Sequence, residues 1–338
     1  MPAATPAVAP ISPAAARRLR YRFVTSYLLK RVLAAILVMW AVATLVFFML
    51  RAVPGDPVQA MLFDTADAHA VAVLRHKYGL DRPVYVQYGL WLWNIGHGDF
   101  GASIYGSREP VRQIISQALP RTMSLALLAF VIAMAIAVPA GIVSAVRRNS
   151  PLDHGFTLLA FLGLSMPDFW LGIVLIIIFA AHLRWLPAIG YAPPSDGFVP
   201  WLRHLILPAT AIGTAFSAIL ARMIRSSMLE VLSADFITVA RSKGLVERQV
   251  VMKHALRNAL IPVITVTGIA FALLMAGAVV VENVFSIKGI GRVLIQGILN
   301  RDYPVVQGAI LVVSAIFVMT NLVVDVLYTV IDPRIRLR

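Results

Sequence analysis

Six long, largely uncharged apolar segments constrain the fold of this chain more than any other feature of its sequence. A bilayer core needs about 20 apolar residues per helix. In lipid such a segment must be helical, because its backbone N–H and C=O groups find no water to bond. With 59% hydrophobic and 14% charged residues in the 338-residue chain, too little polar surface remains to cover six buried helices in a soluble protein. We therefore predict an all-α membrane protein with six transmembrane helices, over residues 32–50, 122–146, 156–182, 204–221, 259–281 and 303–331.

The charges between these segments predict the orientation. The formal net charge is +14. One set of hydrophilic segments holds 18 Lys and Arg with 5 acidic residues, whereas the alternate set holds 12 with 8. Because Lys and Arg accumulate on the cytoplasmic side, we expect the first set and both termini in the cytoplasm. The excess of positive charge is therefore explained by membrane orientation and by contact with anionic lipid and protein partners, and not by binding of nucleic acid. The first set comprises residues 1–31, 147–154, 222–258 and 332–338.

The first apolar segment follows a basic stretch, as the core of a signal peptide does. It is longer than a usual signal-peptide core, and residues 51–54 contain no small-x-small cleavage site. We predict an uncleaved first helix in a single membrane domain over residues 25–338. A disordered cytoplasmic tail, rich in Ala and Pro, is predicted over residues 1–24.

Residues 51–121 are too many for a simple connector between two spans. Turn residues separate short helical stretches there, and the aromatic-rich stretch 84–95 suits the membrane interface. This extracytoplasmic segment is either a folded cap on the membrane surface or a docking surface for an extracytoplasmic partner. The pattern leaves both interpretations open.

Residues 222–258 form the main cytoplasmic loop. Leu232, Phe236 and Ala240 recur every four residues, which predicts a short helix with an apolar stripe. Ser233 is a suitable N-cap for this helix. Two cations and a glycine suit its C-terminus: Arg241, Lys243 and Gly244.

A second helix is predicted to begin near Glu247 and to run into the fifth apolar segment. The short helix before it either lies on lipid headgroups or presents its stripe to a groove on a soluble protein. Physical reasoning alone leaves both alternatives open.

Residues 235–245, followed by residues 257–262, resemble the EAA loop of bacterial ABC-importer permeases. The shared features are the Ala, the Gly four residues later and the Pro at the start of the next helix. Further pieces resemble the dipeptide/oligopeptide/nickel branch of that family, and in particular its B-type dipeptide permease subunits. The resemblance covers about residue 25 to the end of the chain. Its pieces are residues 54–57, 79–83, 98–101, 281–285 and 332–336.

The resemblance implies a type I ABC-importer permease fold and a subunit that moves short peptides by alternating access. It implies no catalytic residue, metal or cofactor in this chain, with ATP and Mg bound on partner subunits. The implied partners are a second homologous permease subunit, two cytoplasmic ATPase subunits and an extracytoplasmic substrate-binding protein. The implied location is the bacterial cytoplasmic membrane. A nickel or other small-solute permease of the same branch is the alternative.

The resemblance also implies roles for individual residues. The helix within residues 235–245 is the coupling helix, which sits in a groove on one ATPase, and residues 51–121 form part of the docking face for the binding protein. The coupling residues are Asp235, Phe236, Ala240, Arg241, Gly244 and Leu245. The docking residues are Asp81, Arg82, Asp99 and Lys288, the last of which stands where the family usually has Pro.

The sequence lacks the patterns of several kinds of enzyme. No Gly-Lys dipeptide occurs, so the phosphate-binding GxxxxGK[ST] loop is missing and ATP must be hydrolysed by partners. The seven His residues include no HxH or HExxH pair, and no GxSxG motif occurs. Residues 96–99 match the GxGD pattern of intramembrane aspartyl proteases, but Asp99 lies in a hydrophilic loop. A secondary transporter or channel, which would work without ATPase partners, is a further alternative from a different functional class.

Acidic residues inside spans point to a translocation pathway, since an ionised carboxylate at membrane depth is costly unless it faces water or a cation. Asp168 follows Pro167 in the middle of the third segment. A helix broken at such a point exposes backbone groups and commonly lines a cavity. Asp168 is therefore the strongest candidate for a pathway-lining residue.

Two further acidic residues are pathway candidates with an equally simple structural alternative. Glu282 either lines a pathway or lies at the membrane interface near Lys288. Asp325 either lines a pathway or pairs with Arg334 or Arg336 of the basic tail.

Overall fold

The computed structural model of the chain describes residues 13–52, 73, 75–76, 81–105 and 108–331. Within these ranges helices dominate, and the one β contact is an isolated bridge between Ala102 and Pro110. The α-helices are α1 (Pro13–Ala52), α2 (Val84–Gly96), α3 (Val111–Val146), α4 (Pro151–Ser165), α5 (Asp168–Leu175), α6 (Phe198–Leu232), α7 (Asp235–Ser242), α8 (Glu247–Gln249), α9 (Leu256–Val284), α10 (Ile290–Leu299) and α11 (Tyr303–Ile331).

Five stretches of helix in the described residues are long and apolar enough to cross a membrane. They lie in α1, α3, α6, α9 and α11, and the bent pair formed by α4 with α5 makes a sixth if it counts as one span. Each corresponds to one of the six apolar segments. The described part of the chain thus has the all-helical membrane architecture that the sequence predicts.

The third span is broken where the sequence predicts a break. α4 and α5, with the π-helical segment Ile176–His182 that continues α5, meet at an angle of 101°. Met166 and Pro167 between them are extended, with ψ angles of 125° and 138°. The residue before a proline is driven out of the helical region by the proline ring, so the Met166-Pro167 pair ends α4 and starts α5.

α3 and α6 form the tightest helix pair of the bundle. α3 presents a row of small buried residues, and Gly141 lies so close to α6 that an added Cβ would come within 2.7 Å of Ile224. Gly213 of α6 lies equally close to α3, since an added Cβ there would come within 2.7 Å of the Ala129 carbonyl oxygen. Small side chains allow such close packing in membranes, where dispersion contacts replace the hydrophobic effect. The row on α3 is Ala129, Ala133, Ala137 and Gly141.

The tail boundary differs from the prediction. α1 begins at Pro13, so residues 13–24 are helical rather than a disordered tail, and residues 1–12 lie outside the described part. Ala, Leu and Arg, which fill this stretch, have high helix propensity, and a helix already formed in the membrane extends through them at little cost.

The predicted helix at residues 84–95 is observed as α2, which packs against α1. Tyr88 donates or accepts a hydrogen bond with Thr44 at 2.7 Å, and its ring lies 5.2 Å from that of Phe47. Tyr85 and Trp93 on the other face are exposed. One face of α2 therefore fixes the segment to the first span, while the other is left for the interface.

Candidate functional site

α7 lies between the end of α6 and the start of α9, and it turns an apolar face towards the bundle. Ile237 and Ala240 are buried. Both belong to the main core cluster together with Val250 and Val251, which lie in the π-helical segment Val250–Ala255 that joins α8 to α9. α7 is thereby anchored to the start of α9.

The residues around the end of α7 also expose apolar side chains. Phe236 and Val239 are 46% and 52% exposed, and Leu245 and Val246 beyond the helix are 37% and 66% exposed. We call these four residues the coupling patch. Apolar side chains exposed together at one site are typical of a surface that a partner covers.

The predicted apolar stripe is wrong in its register. Leu232 is the last residue of α6 and packs on the core from there, Phe236 is exposed, and Ala240 is the one of the three that faces the core from α7. Ile237, which the sequence reasoning missed, takes the buried position. The buried face of this eight-residue helix is set by the π-helical segment against which it packs, and periodicity over so few residues does not reveal that neighbour.

The predicted N-cap is also wrong. Ser233 follows α6, and its hydroxyl donates to the Glu230 carbonyl oxygen at 2.8 Å. Ala234 occupies the N-cap position of α7, with no side-chain hydrogen bond. Asp235, the first helical residue and an exposed one, places its negative charge at the positive end of the helix dipole.

α7 ends at the cation and glycine that the sequence predicts. Lys243 is the C-cap, and Gly244 has a φ of +77° and donates its N–H to the Arg241 carbonyl oxygen at 2.9 Å. Beyond its chain neighbours, no heavy atom lies within 4 Å of the position that a Cβ would occupy. The left-handed backbone conformation, rather than lack of space, therefore requires glycine here.

An ion pair closes the turn between α7 and α8. Arg241 donates from Nη2 to Oε1 of Glu247 at 2.7 Å and from Nε to Oε2 at 3.1 Å. This guanidinium lowers the pKa of the Glu247 carboxyl, and the carboxylate raises the pKa of Arg241. Both side chains are exposed, so the pair orients the turn more than it stabilises the fold. The second predicted helix does begin at Glu247.

At the other end of α9, Glu282 is buried inside a turn. Its Oε1 accepts from the Thr122 hydroxyl at 2.5 Å, its Oε2 accepts from the Arg292 backbone N–H at 3.2 Å, and its exposed fraction is 0%. Thr122 in turn accepts the backbone N–H of Ile290 at 2.8 Å. Glu282, a residue of α9, thus links the N-terminus of α10 to α3. A carboxylate is favourable at this position because the first N–H groups of a helix carry partial positive charge.

Glu282 lies close to Lys288, as the structural alternative expects, since a Cβ on the neighbouring Gly289 would clash with its carboxylate; in this structure it is closed off from any open pathway. A side chain without exposed surface does not line an open pathway. Nor does Glu282 form an ion pair with Lys288 among the described residues; the Lys288 side chain is exposed. The sequence places Glu282 at the end of a span, but only the fold shows that two backbone donors and a hydroxyl surround it.

Asp168 lies at the break in the third span, against α9. Its Oδ2 lies 3.0 Å from where a Cβ on Gly277 would be, and the residue is partly exposed. The missing side chain at Gly277 leaves room for this carboxylate beside the helix. The structure therefore keeps Asp168 accessible, as a pathway residue must be.

Asp325 forms an ion pair with Arg31 of α1 at 3.0 Å. This contact joins the first and last spans. The predicted partners Arg334 and Arg336 lie outside the described residues.

The four predicted docking residues lie at three places in the chain: Asp81 and Arg82 before α2, Asp99 after it, and Lys288 before α10. Asp81 contacts His76 at 2.7 Å, and this hydrogen bond lowers the pKa of Asp81. Asp99 accepts the Gly101 N–H at 2.9 Å, while the Arg82 carbonyl oxygen accepts from the Gln87 side chain. Asp81, Arg82 and Asp99 therefore flank the two ends of α2, and no hydrogen bond or ion pair in the described part joins Lys288 to them.

A buried ion pair escaped the sequence reasoning. Arg225 of α6 donates from Nε and Nη2 to the two carboxylate oxygens of Asp153, each at 2.8 Å. Asp153 is 2% exposed and also accepts the Asn149 N–H. Its own N–H donates to the Ser150 hydroxyl. The available sequence signal was the Ser-x-x-Asp spacing of a capping box.

No group of three or more His, Asp or Glu side chains in the described ranges is placed to hold a metal ion. The charged residues described above make pairwise and capping contacts.

The chain belongs to the family of inner membrane components of binding-protein-dependent transport systems. It matches the family over residues 137–337, and it matches the N-terminal part of such membrane components over residues 24–126. It is therefore a multi-pass membrane permease subunit of an ATP-binding-cassette importer, a class that works with ATPase subunits and a transmembrane partner. Membership of this family bears out the predicted fold class and transport role.

Individual relatives agree with the family. A putative peptide transport system permease protein of Brucella abortus (strain 2308) is 48% identical over 312 residues, covering 92% of this chain and 99% of the relative. The dipeptide transport system permease protein DppB of Alkalihalophilus pseudofirmus is 42% identical over 331 residues, with the same coverage. Inward-facing MetNI methionine ABC transporter is similar in fold, with a TM-score of 0.55 at 18% identity, covering 65% of this chain and 97% of that one.

Proposed function

We propose that this permease subunit moves short peptides into the bacterial cytoplasm. The support is the similarity to relatives that are named peptide and dipeptide permeases and that align over 92% of the chain. The observation that carries the mechanism is the coupling patch, in which Phe236, Val239, Leu245 and Val246 are exposed beside an anchored helix.

α7 acts as the coupling helix and sits in a groove on one of two ATPase subunits, which bind ATP and Mg. ATP binding closes the ATPases, the movement passes through α7 to the start of α9, and the bundle opens to the outside. Hydrolysis returns it to the inward-facing state. The anchor formed by Ile237 and Ala240 supports this role, since a helix packed on the core transmits displacement to it.

The proposed orientation places α7 and both termini in the cytoplasm. The excess of Lys and Arg in the segments on that side supports it. The turn between α9 and α10 then faces outside, together with α2 and the docking residues Asp81, Arg82, Asp99 and Lys288. An extracytoplasmic binding protein delivers the peptide there to this subunit and a second, homologous permease subunit.

The test of coupling replaces the exposed half of α7. In the Phe236→Ala, Val239→Ala double variant we expect loss of ATPase co-purification and of uptake, because the variant removes surface that the partner covers while leaving the buried Ile237 in place. Phe198→Ala is the matched control, since Phe198 is 68% exposed on α6, near its start. Retention of both ATPases and normal uptake in the double variant would disprove the role of α7.

The cargo is tested separately with the reconstituted importer in phospholipid vesicles. Wild-type importer supplied with its binding protein should accumulate labelled dialanine in an ATP-dependent manner. Accumulation of nickel ions and not of dialanine would assign the chain to the small-solute branch instead.

A further inference from the structure

A half-open cavity of about 130 Å³ lies between α3 and the turn that leads into α10, and three cationic side chains line it. Arg121 comes from α3, Lys288 from the turn and Arg292 from the first turn of α10. Two amide side chains, Gln117 and Gln296, and one carboxylate, Glu109, complete its polar lining. Three positive charges and one negative charge at one small concavity make it an electropositive site.

Within the part of the chain that the structure describes, no carboxylate forms an ion pair with the three cations. A cluster of like charges is unfavourable without a counter-charge, so the structure leaves this cavity suited to an anion from outside the chain.

The cavity is held in shape by hydrogen bonds between and behind its walls. Arg121 donates from Nη1 to the Lys288 carbonyl oxygen at 2.9 Å, which joins its two walls. The next residue, Thr122, is bonded to Glu282, and Glu282 accepts the Arg292 backbone N–H. A site whose walls are fixed before binding loses little entropy when its ligand arrives.

The size of the cavity selects a small anion. A water molecule occupies about 30 Å³ in the liquid, so the cavity holds the equivalent of a few waters. A carboxylate group fits this space, and guanidinium, ammonium and amide N–H groups are its natural donors.

We propose that this cavity is a subsite for the free terminal carboxylate of the transported peptide. The inference rests on the proposed peptide cargo, because every unblocked peptide carries this group whatever its side chains.

A second charged group lies beside the helix that leads into this turn. α5 packs along α9: Asp168 Oδ2 is beside Gly277, and a Cβ on Gly172 would come within 2.9 Å of the Phe285 ring. Phe285 is three residues from Lys288. An accessible carboxylate therefore lies beside α9, and the cationic cavity begins in the turn that follows the same helix.

Glu109 supplies the opposing charge in this arrangement. Its carboxylate lowers the affinity of the cavity for an anion, which suits a subsite that must also release its ligand. Glu109→Gln should therefore act in the opposite direction to loss of a cation.

The experiment uses the intact importer in phospholipid vesicles, with its ATPases and binding protein, and compares dialanine with dialanine amide. For each peptide, uptake by a variant is divided by uptake by the wild type, so that any preference of the binding protein cancels. Arg292→Gln should lower uptake of dialanine by about two- to fivefold, as expected for a partly exposed ion pair, and leave uptake of the amide unchanged. Lys288→Gln, at a proposed docking residue, should lower uptake of both peptides and that of dialanine by more. Glu109→Gln should raise the ratio of dialanine to amide uptake. Arg112→Gln is the matched control, because Arg112 is exposed on α3 and does not line the cavity.

Two results would overturn the subsite while leaving the proposed function intact. Equal losses for both peptides would assign the cavity to docking of the binding protein, and unchanged uptake of both would show that the cavity binds no anion during transport. If the wild-type importer moved neither peptide, the proposed cargo would fail and the subsite with it.

Discussion

The two ends of α9 are built in opposite ways. At its start, the chain turns back through α7 and α8, and the coupling patch stays exposed beside an exposed ion pair of Arg241 and Glu247. At its end, the chain turns into α10 around Glu282, whose carboxylate is fully buried and bonded to Thr122 and a backbone N–H.

The difference shows which end is complete within the chain. A buried carboxylate with its hydrogen bonds made needs no partner, whereas exposed apolar side chains reach their lowest free energy only when another surface covers them. We therefore expect loss of the Glu282 side chain to act on folding, and substitutions in the coupling patch to act on coupling while the fold survives.

The largest effect is expected at the buried turn. Glu282→Ala removes the acceptor of two buried donors, and each unsatisfied donor costs about 1–3 kcal/mol, to which the cavity left behind adds. Thermal unfolding in detergent should show a marked fall in melting temperature. Glu282→Gln keeps one acceptor oxygen and should lose less. A melting temperature unchanged by Glu282→Ala would show that the turn does not depend on this side chain.

The next effect concerns the buried ion pair between α4 and α6. Asp153→Ala leaves the Arg225 guanidinium, which is 30% exposed, without its acceptor. Because this charge stays partly solvated, we expect a loss of about 1–3 kcal/mol, the range for hydrogen bonds to a charged group. Thermal unfolding again measures it. The double variant with Arg225→Met should recover part of the loss, since no unpaired charge then remains. If the single and double variants were equally unstable, the pair would not be the cause.

A smaller effect on stability, with a larger one on transport, is expected at Gly244. Gly244→Val must hold a β-branched residue at positive φ, at a cost of about 1–3 kcal/mol, and should uncouple ATP hydrolysis from uptake by displacing the coupling patch. Gly244→Asn, which tolerates this conformation better, should be milder. Gly155→Ala is a neutral control, because nothing crowds that glycine inside α4. Normal uptake by Gly244→Val at normal membrane levels would contradict the scheme.

The smallest effect is expected for the exposed ion pair, and it depends on pH. The pKa of Glu247 is lower in the folded protein than its usual value near 4.5, so the pair contributes above that value and is lost as the pH falls through the lowered pKa. ATPase co-purification with Glu247→Gln should thus be weaker than with the wild type at pH 7 and at pH 5 alike, and the difference should shrink only as the pH falls below 4.5. A difference that grew on acidification would have the wrong sign for this pair.

Much of the fold and of the coupling segment was predictable from local patterns. Apolar length predicts the spans, Pro167 predicts the break, and Gly244 predicts the end of α7. Each of these follows from backbone chemistry within a few residues. The register of α7 was not predictable, because Ile237 is buried only by contact with Val250 and Val251, which lie more than ten positions away.

The charged residues show the same division more sharply. Length, apolarity and charge asymmetry in the sequence determined that the chain spans a membrane, since lipid offers the backbone no alternative partner and each helix meets that demand locally. Only the tertiary structure decided what each charge does: Glu282 holds a turn, Asp153 pairs across helices, and Arg121, Lys288 and Arg292 line one cavity. The free energy of a charge depends on the atoms around it, and in this bundle those atoms come from helices that are far apart in sequence.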